Sequence, residues 1–114
     1  MNDRAALDLL DDARSFALEA QGFTAGLDPQ AFDQRRREQL AVRYCLAVVG
    51  EALNEVPKDI QALAAEIPWT AAYGPRNRLV HGYWLIDTGI ILNIAQNEIG
   101  VLVASIDRLM YEIA

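Results

Sequence analysis

The sequence predicts an all-α protein, an antiparallel up-and-down bundle of four main helices plus one short helix, as a single domain over residues 1–114. Three observations predict this class. The chain has 114 residues, a length that suits one domain. Apolar residues recur at helical spacing over long segments. The β-branched runs are short and follow the same helical period, so no strand is expected.

The first helix is expected over about residues 4–21, with Asp3 as its N-cap. Its apolar stripe consists of Leu9, Ala13, Phe16 and Ala20. The acidic residues of this segment lie largely away from the stripe and are expected to face solvent. Gly22 and Gly26 then predict a loop.

Asp28 and Pro29 predict the start of a second helix, because a capping carboxylate followed by proline is typical of a first turn. This helix is expected to continue to about Glu55. Within residues 40–49 only Arg43 is clearly polar. A helix that is apolar nearly all round is buried on more than one side, so we expect one of these sides to form a subunit interface.

The middle of the chain is punctuated by prolines. Pro57 is expected to end the second helix and to begin a short one through about Glu66. Pro68 begins a further element, in which Trp69 and Tyr73 share one face at a spacing of one helical turn.

A short helix is expected from Pro75 to His81, closed by Gly82. Asp87 or Thr88 then caps the last helix, which runs to the end of the chain. Its apolar stripe consists of Ile91, Ala95, Ile99, Leu102, Ile106, Leu109 and Ile113.

The chain is acidic, with a net charge of −6 and a pI of about 4.6. This charge excludes nucleic-acid binding by bulk electrostatics, which needs a basic protein. Any contact with RNA must therefore use a local patch. The arginines fall into two segments, one with Arg35, Arg36, Arg37 and Arg43 and one with Arg76 and Arg78. The first segment is either a phosphate-binding patch or a solvated helix face, and the sequence favours neither.

One cysteine and one histidine cannot build a zinc site or an internal disulfide, so no metal and no cofactor are expected. Cys45 lies in an apolar run and is expected to be a small buried side chain. The N-terminus has no apolar signal segment, and no run reaches the length of a membrane span. The chain is therefore expected to be soluble and cytoplasmic.

Residues 76–83 hold the chemistry that the sequence offers. His81, the single histidine, suits proton transfer near neutral pH, and Arg76 can hold a phosphate with its guanidinium fork. Asn77 stands one helical turn before His81 and can orient the imidazole. Arg78 adds a second cation. This set fits cleavage of RNA through its own 2′-hydroxyl, a route that DNA lacks.

Two features of these residues leave the assignment open. Arg76 and His81 are about 140° apart on a regular helix, so they meet at one phosphate only if the helix is distorted or two chains contribute. A histidine before a glycine is also often a simple helix cap, and Tyr83 is often a core or interface aromatic.

The spacing Arg76-x4-His81-x-Tyr83, with Asn77 after the arginine, resembles the signature of the HEPN superfamily of helical ribonucleases, and more narrowly the HepT-like toxins. Val49-Gly50-Glu51-Ala52 and Pro68-Trp69 also match family segments, so the resemblance covers nearly the whole chain. Pro75 departs from the family, which more often has a helix-forming residue there.

The resemblance implies a HEPN-like bundle that forms a homodimer with a shared active site. It implies a toxin of a toxin–antitoxin pair, a metal-independent endoribonuclease with Arg76 and His81 as catalytic residues. The partner that the resemblance implies is a minimal nucleotidyltransferase antitoxin, which silences the toxin by adding AMP to the motif tyrosine, here Tyr83. RNA is the implied substrate, with no DNA cleavage and no membrane association.

Two alternatives use the same residues. In the first, the chain is a non-catalytic subunit that binds nucleotide or presents substrate in a nucleotidyltransferase complex. Arg76 then holds a phosphate, and the chain catalyses no reaction. In the other alternative it is a purely structural helical dimer, in which His81 is a cap.

Overall fold

The computed structural model describes residues 3–70 and 87–114, and within these ranges it contains helices and no strand. The all-α prediction is thereby confirmed. We number the helices in chain order: α1 Arg4–Thr24, α2 Pro29–Asp33, α3 Arg36–Glu55, α4 Lys58–Gln61 and α5 Thr88–Ile113.

Helix α1 is longer than predicted and ends at Thr24. Asp3 occupies the N-cap position, but its side chain makes no capping hydrogen bond. Gly22 lies inside the helix, so its assignment to a loop was wrong. Gly26 does lie in the turn after α1, and its φ of 75° is a backbone conformation that glycine adopts without strain. The buried stripe is Ala6, Leu10, Ala13, Ala17, Ala20 and Thr24.

The helix predicted to run from Asp28 to Glu55 is interrupted, so that prediction was wrong in its middle. Its start is confirmed, because Asp28 Oδ1 accepts a hydrogen bond from the Ala31 N–H at 2.8 Å. The interruption separates α2 from α3 at residues 34–35. The Gln39 side chain donates to the carbonyl of Phe32 at 2.8 Å, which satisfies an acceptor at the end of α2.

Helix α3 ends at Glu55, as predicted, and Pro57 takes the N-cap position of α4. Helix α4 ends at Gln61, earlier than the predicted Glu66, and turns follow it. The Gln61 side chain donates to the carbonyl of Val56 at 2.8 Å, so a buried glutamine ties α4 back to the end of α3.

Helix α5 begins as predicted at the Asp87 cap, but its middle contains a π-helical turn over Ile94–Glu98. Six of the seven predicted stripe residues are buried: Ile91, Ala95, Ile99, Leu102, Ile106 and Leu109. The π turn directs Gln96 toward α1, where its side-chain amide donates to the carbonyls of Thr24 and Leu27 at 2.8 and 2.7 Å.

Helix α1 is the centre of the described bundle, with α3 on one side and α5 on the other. Arg14 pairs with Asp107 at 2.6 Å, whereas the end of α1 contacts Gln96, so α1 and α5 are antiparallel. The Phe16 and Tyr44 rings meet edge to face, with centroids 6.1 Å apart, on the α1–α3 side. The three long helices thus bury one shared apolar core.

Helix α5 is also long and apolar enough to cross a bilayer, with a mean hydropathy of 1.5 over its most apolar window. Of that window, 44% is buried inside the protein. The buried residues form the stripe that packs on α1, which is the pattern of a core helix.

Candidate active site

The predicted site residues Arg76, Asn77, Arg78, His81 and Tyr83 lie outside the described residues. Tyr73, the short helix expected from Pro75 to His81 and its closing Gly82 also lie outside them. The structure does describe the chain up to Thr70 and again from Asp87. It therefore shows how the chain is anchored before and after the motif.

Trp69 fixes the chain before the motif. Its indole N–H donates to the Ala64 carbonyl at 3.0 Å, and its side chain is buried together with Ile67. The backbone N–H groups of Ile67 and Trp69 also make short turn hydrogen bonds, to Ala64 and Ile67 respectively. A buried indole with a satisfied donor is a structural anchor.

Asp87 and Thr88 fix the chain after the motif. Asp87 Oδ1 accepts from the N–H groups of Gly89 and Ile90 at 2.6 and 3.3 Å, which caps α5 as predicted. The Thr88 hydroxyl donates to Oδ1 of Asp33 at 2.7 Å and joins α5 to α2. Sequence reasoning missed this bond, because nothing in the local pattern pairs residues so far apart in the chain.

A groove of about 350 Å³ lies between the turn that follows α4 and the π turn of α5. Its lining residues are Glu66, Ile67, Pro68, Asn97, Glu98, Val101, Leu102 and Ser105. Arg108 lies 3.6 Å from Glu66 and donates to the Ser105 hydroxyl at 3.1 Å. Because its rim carries two carboxylates, the groove is unsuited to a phosphate backbone.

A second groove, of about 290 Å³, runs between α1 and α3. Its lining residues are Leu9, Asp12, Tyr44, Ala47, Val48, Glu51, Ala52 and Glu55. Tyr44 is 64% exposed, and Leu40, one helical turn earlier, is 50% exposed. We call Leu40, Tyr44 and Val48, with the adjoining Phe16, the outer face of α3. The other side of α3 is buried in the core. The subunit interface expected on a second side of this segment stays a prediction.

The four residues of the first arginine segment differ in their exposure to solvent. Arg35, Arg36 and Arg37 are exposed at the start of α3, whereas Arg43 is only 8% exposed and belongs to the interior. Grouping Arg43 with the other three was therefore wrong. It is not without a partner, as expected for a buried charge.

Cys45 is confirmed as a buried side chain, 4% exposed. Burial, and to a lesser extent the Glu19 carboxylate, raise the pKa of its thiol from 9.0 to about 11. The thiol is therefore protonated at neutral pH and is a poor nucleophile.

A family model described as "Ribonuclease HepT-like" matches residues 11–109 of the chain. This range includes the whole predicted motif and both of its anchors. It also includes most of α1, all of α2 to α4 and most of α5.

Curated relatives match over most of their length. A Methanocaldococcus jannaschii protein named as an RNase is 29% identical over 91% of this chain and 90% of its own. A second RNase-named protein of that organism is 30% identical over 80% of this chain and 75% of its own. A Thermococcus cleftensis protein named as a ribonuclease HepT is 27% identical over 93% and 96%. No solved structure matches the chain.

Proposed function

This chain belongs to the ribonuclease HepT-like family, and from that membership we propose that it is a metal-independent endoribonuclease, the toxin of a toxin–antitoxin pair. Ribonuclease activity is supported directly by the family match over residues 11–109, the one observation that carries the proposal. That match includes Arg76 and His81, the residues to which we assign the chemistry.

In the proposed reaction the substrate's own 2′-oxygen attacks the adjacent phosphorus. The bond from phosphorus to the 5′-oxygen breaks, which leaves a 2′,3′-cyclic phosphate and a 5′-hydroxyl end. His81 takes the proton of the 2′-hydroxyl or delivers one to the departing oxygen. Arg76 stabilises the negative charge that builds on the phosphoryl oxygens, and Arg78 adds a second positive charge near them. Asn77 orients the imidazole of His81.

We further propose that the active form is a homodimer whose subunits share the site. The outer face of α3 supports this proposal, because Leu40, Tyr44 and Val48 place an apolar stripe on the surface. Two chains that contribute to one site would also relieve the unfavourable angle between Arg76 and His81 on one regular helix.

The proposed off-switch is covalent. The hydroxyl oxygen of Tyr83 would attack the α-phosphorus of ATP bound by a minimal nucleotidyltransferase antitoxin, and pyrophosphate would leave. The AMP that stays on Tyr83 adds a negative charge to the cationic motif. In this proposal the toxin acts on RNA in the cytoplasm, and the antitoxin acts on the toxin. Co-expression with the antitoxin should add about 329 Da per AMP to the intact mass, and Tyr83→Phe should abolish the addition.

The test of the nuclease is direct. Purified protein is incubated in EDTA with one RNA and with the DNA of the same sequence. We expect RNA to be cut, DNA to stay intact, and both His81→Ala and Arg76→Ala to lose the cut, with exposed Lys58→Ala as the matched control. Cleavage that requires a metal, or that survives His81→Ala, contradicts the mechanism. A wild-type chain that binds nucleotide but cuts nothing would instead be the non-catalytic subunit.

A further inference from the structure

Three adjacent arginines are exposed at the start of α3. Arg37 is 93% exposed, and its ion pair with Glu38 is long at 3.7 Å. Within residues 3–70 and 87–114, Arg35 and Arg36 form no ion pair. By contrast, Arg14 and Arg108 each pair with a carboxylate.

The folded chain gains no evident stability from this cluster. A helix N-terminus carries the positive end of the helix dipole, so cations there are electrostatically unfavourable. Arg35 stands in the N-cap position of α3, where its side chain makes no capping hydrogen bond. Among the described residues Arg35 and Arg36 have no ion pair and that of Arg37 is long, and all three stand at an unfavourable end of the helix. This arrangement indicates a role outside folding.

The nearby carboxylates are engaged within the protein. Asp28 accepts from the Ala31 N–H, Asp33 accepts from the Thr88 hydroxyl, and Asp87 caps α5. They lower the net charge of this end of the bundle, but they are directed at protein donors. The long, exposed arginine side chains are thus the groups available to an incoming anion.

The position of the cluster relates it to the active segment. The bond between Asp33 and Thr88 places the end of α2 against the start of α5, and the three arginines follow directly after α2. The described chain resumes at Asp87, shortly after Tyr83 in the sequence. The cluster therefore lies at the end of the bundle where the described chain resumes after the motif.

We propose that Arg35, Arg36 and Arg37 bind phosphates of the substrate RNA beside the cleavage site. The guanidinium fork matches the oxygens of a phosphate and stays charged at every relevant pH. This inference rests on the proposed ribonuclease function. Three phosphate contacts supply affinity without sequence preference, so their loss weakens substrate binding and leaves the chemical step intact.

The experiment measures binding of a labelled single-stranded RNA at several salt concentrations, in a His81→Ala background that prevents cleavage. Each phosphate contact on a single strand contributes about 0.7 to the slope of log affinity against log salt. Changing all three arginines to Gln should therefore lower that slope by about 2. Between 50 and 200 mM salt, the parent should lose about 20-fold more affinity than the triple variant.

Lys58→Gln is the control for charge. Lys58 is exposed and lies beyond the other end of α3, about 30 Å from the cluster at 1.5 Å per residue. It should leave the slope unchanged, whereas Arg36→Gln alone should lower it by about 0.7. Changing all three arginines to Lys should keep most of the slope, because the charges remain.

A second readout excludes misfolding. The triple Gln variant should melt at the same temperature as its parent or higher, because three unfavourable charges leave the helix N-terminus. A salt slope for RNA binding that is unchanged in the triple Gln variant overturns the inference. If the chain with His81 intact binds RNA with the full slope but never cuts it, the proposed function is overturned instead and the arginine contacts stand.

Discussion

The hydroxyl of Thr88 donates a hydrogen bond to Oδ1 of Asp33 across 2.7 Å and joins the start of α5 to the end of α2. Thr88 is also the first residue of α5, directly after the Asp87 cap. This side-chain bond therefore helps to set the direction in which the last helix begins. It also holds that helix against the end of α2, which the arginine cluster follows in the chain.

Removing this bond should destabilise the protein by a modest amount. We expect Thr88→Val and Asp33→Ala each to lower the free energy of unfolding by about 0.5–1.5 kcal/mol, because a single hydrogen bond is lost. Urea unfolding of the two single variants and the double variant checks this. The double variant should cost clearly less than the two single losses added together. Strict additivity would show that the two side chains act independently.

Gln96 should contribute more than its exposed position suggests. Its amide donates to two carbonyls at the end of α1, so Gln96→Glu removes the donor and places a negative charge at the negative end of a helix. We expect a loss of about 1–2 kcal/mol in the free energy of unfolding. Gln30→Glu is the matched control, since Gln30 lies in the first turn of α2, where a carboxylate is favourable. Equal effects of the two substitutions would contradict this role.

Most of the fold follows from local signals in the sequence. The Asp28 and Asp87 caps and the apolar stripe of α5 each require only neighbouring residues, and the structure confirms all three. The break between α2 and α3 was not predictable in this way. At the break the Gln39 side chain donates to the Phe32 carbonyl, a contact that no propensity or period encodes.

The motif residues were predicted from their chemistry and from the family resemblance. Neither of these predicts which neighbouring arginines are exposed or paired. The motif type follows from His81 as the one histidine with arginines beside it. The arginine cluster could be recognised as charged but not assigned, because exposure and pairing depend on tertiary neighbours. Arg43 shows the difference: it lies on the same helix as Arg36 and Arg37, yet it is buried.

Cys45 should give the protein a measurable alkaline pH dependence. Its thiol has a pKa of about 11 in the folded chain against an ordinary 9.0, so on raising the pH the unfolded chain loses its proton first. The stability that the protonated, buried Cys45 thiol contributes is fully present below pH 9 and is lost as the pH rises toward 11. The free energy of unfolding therefore falls over that window. Cys45→Ala should lack this component. Denaturant unfolding at pH 8 and pH 10.5 measures it, and identical pH dependence in both proteins would contradict it.

The outer face of α3 provides the test of the proposed dimer. Tyr44 contacts Phe16 only at the ring edge and is 64% exposed, so Tyr44→Arg should cost the monomer about 0.5–1.5 kcal/mol, the value of one aromatic pair. In a dimer built on this face, the same change buries a charge and should separate the subunits. Tyr111→Arg, at an 89% exposed position on α5, is the matched control.

Light scattering at micromolar concentration should find a dimer for the parent and for Tyr111→Arg, and a monomer for Tyr44→Arg. If the site is shared between subunits, RNA cleavage should fall with dimerisation in Tyr44→Arg and persist in Tyr111→Arg. A monomeric parent would exclude the dimer. A monomeric Tyr44→Arg variant that still cuts RNA at the parental rate would show instead that one chain carries a complete site, with Arg76 and His81 brought together by its own backbone.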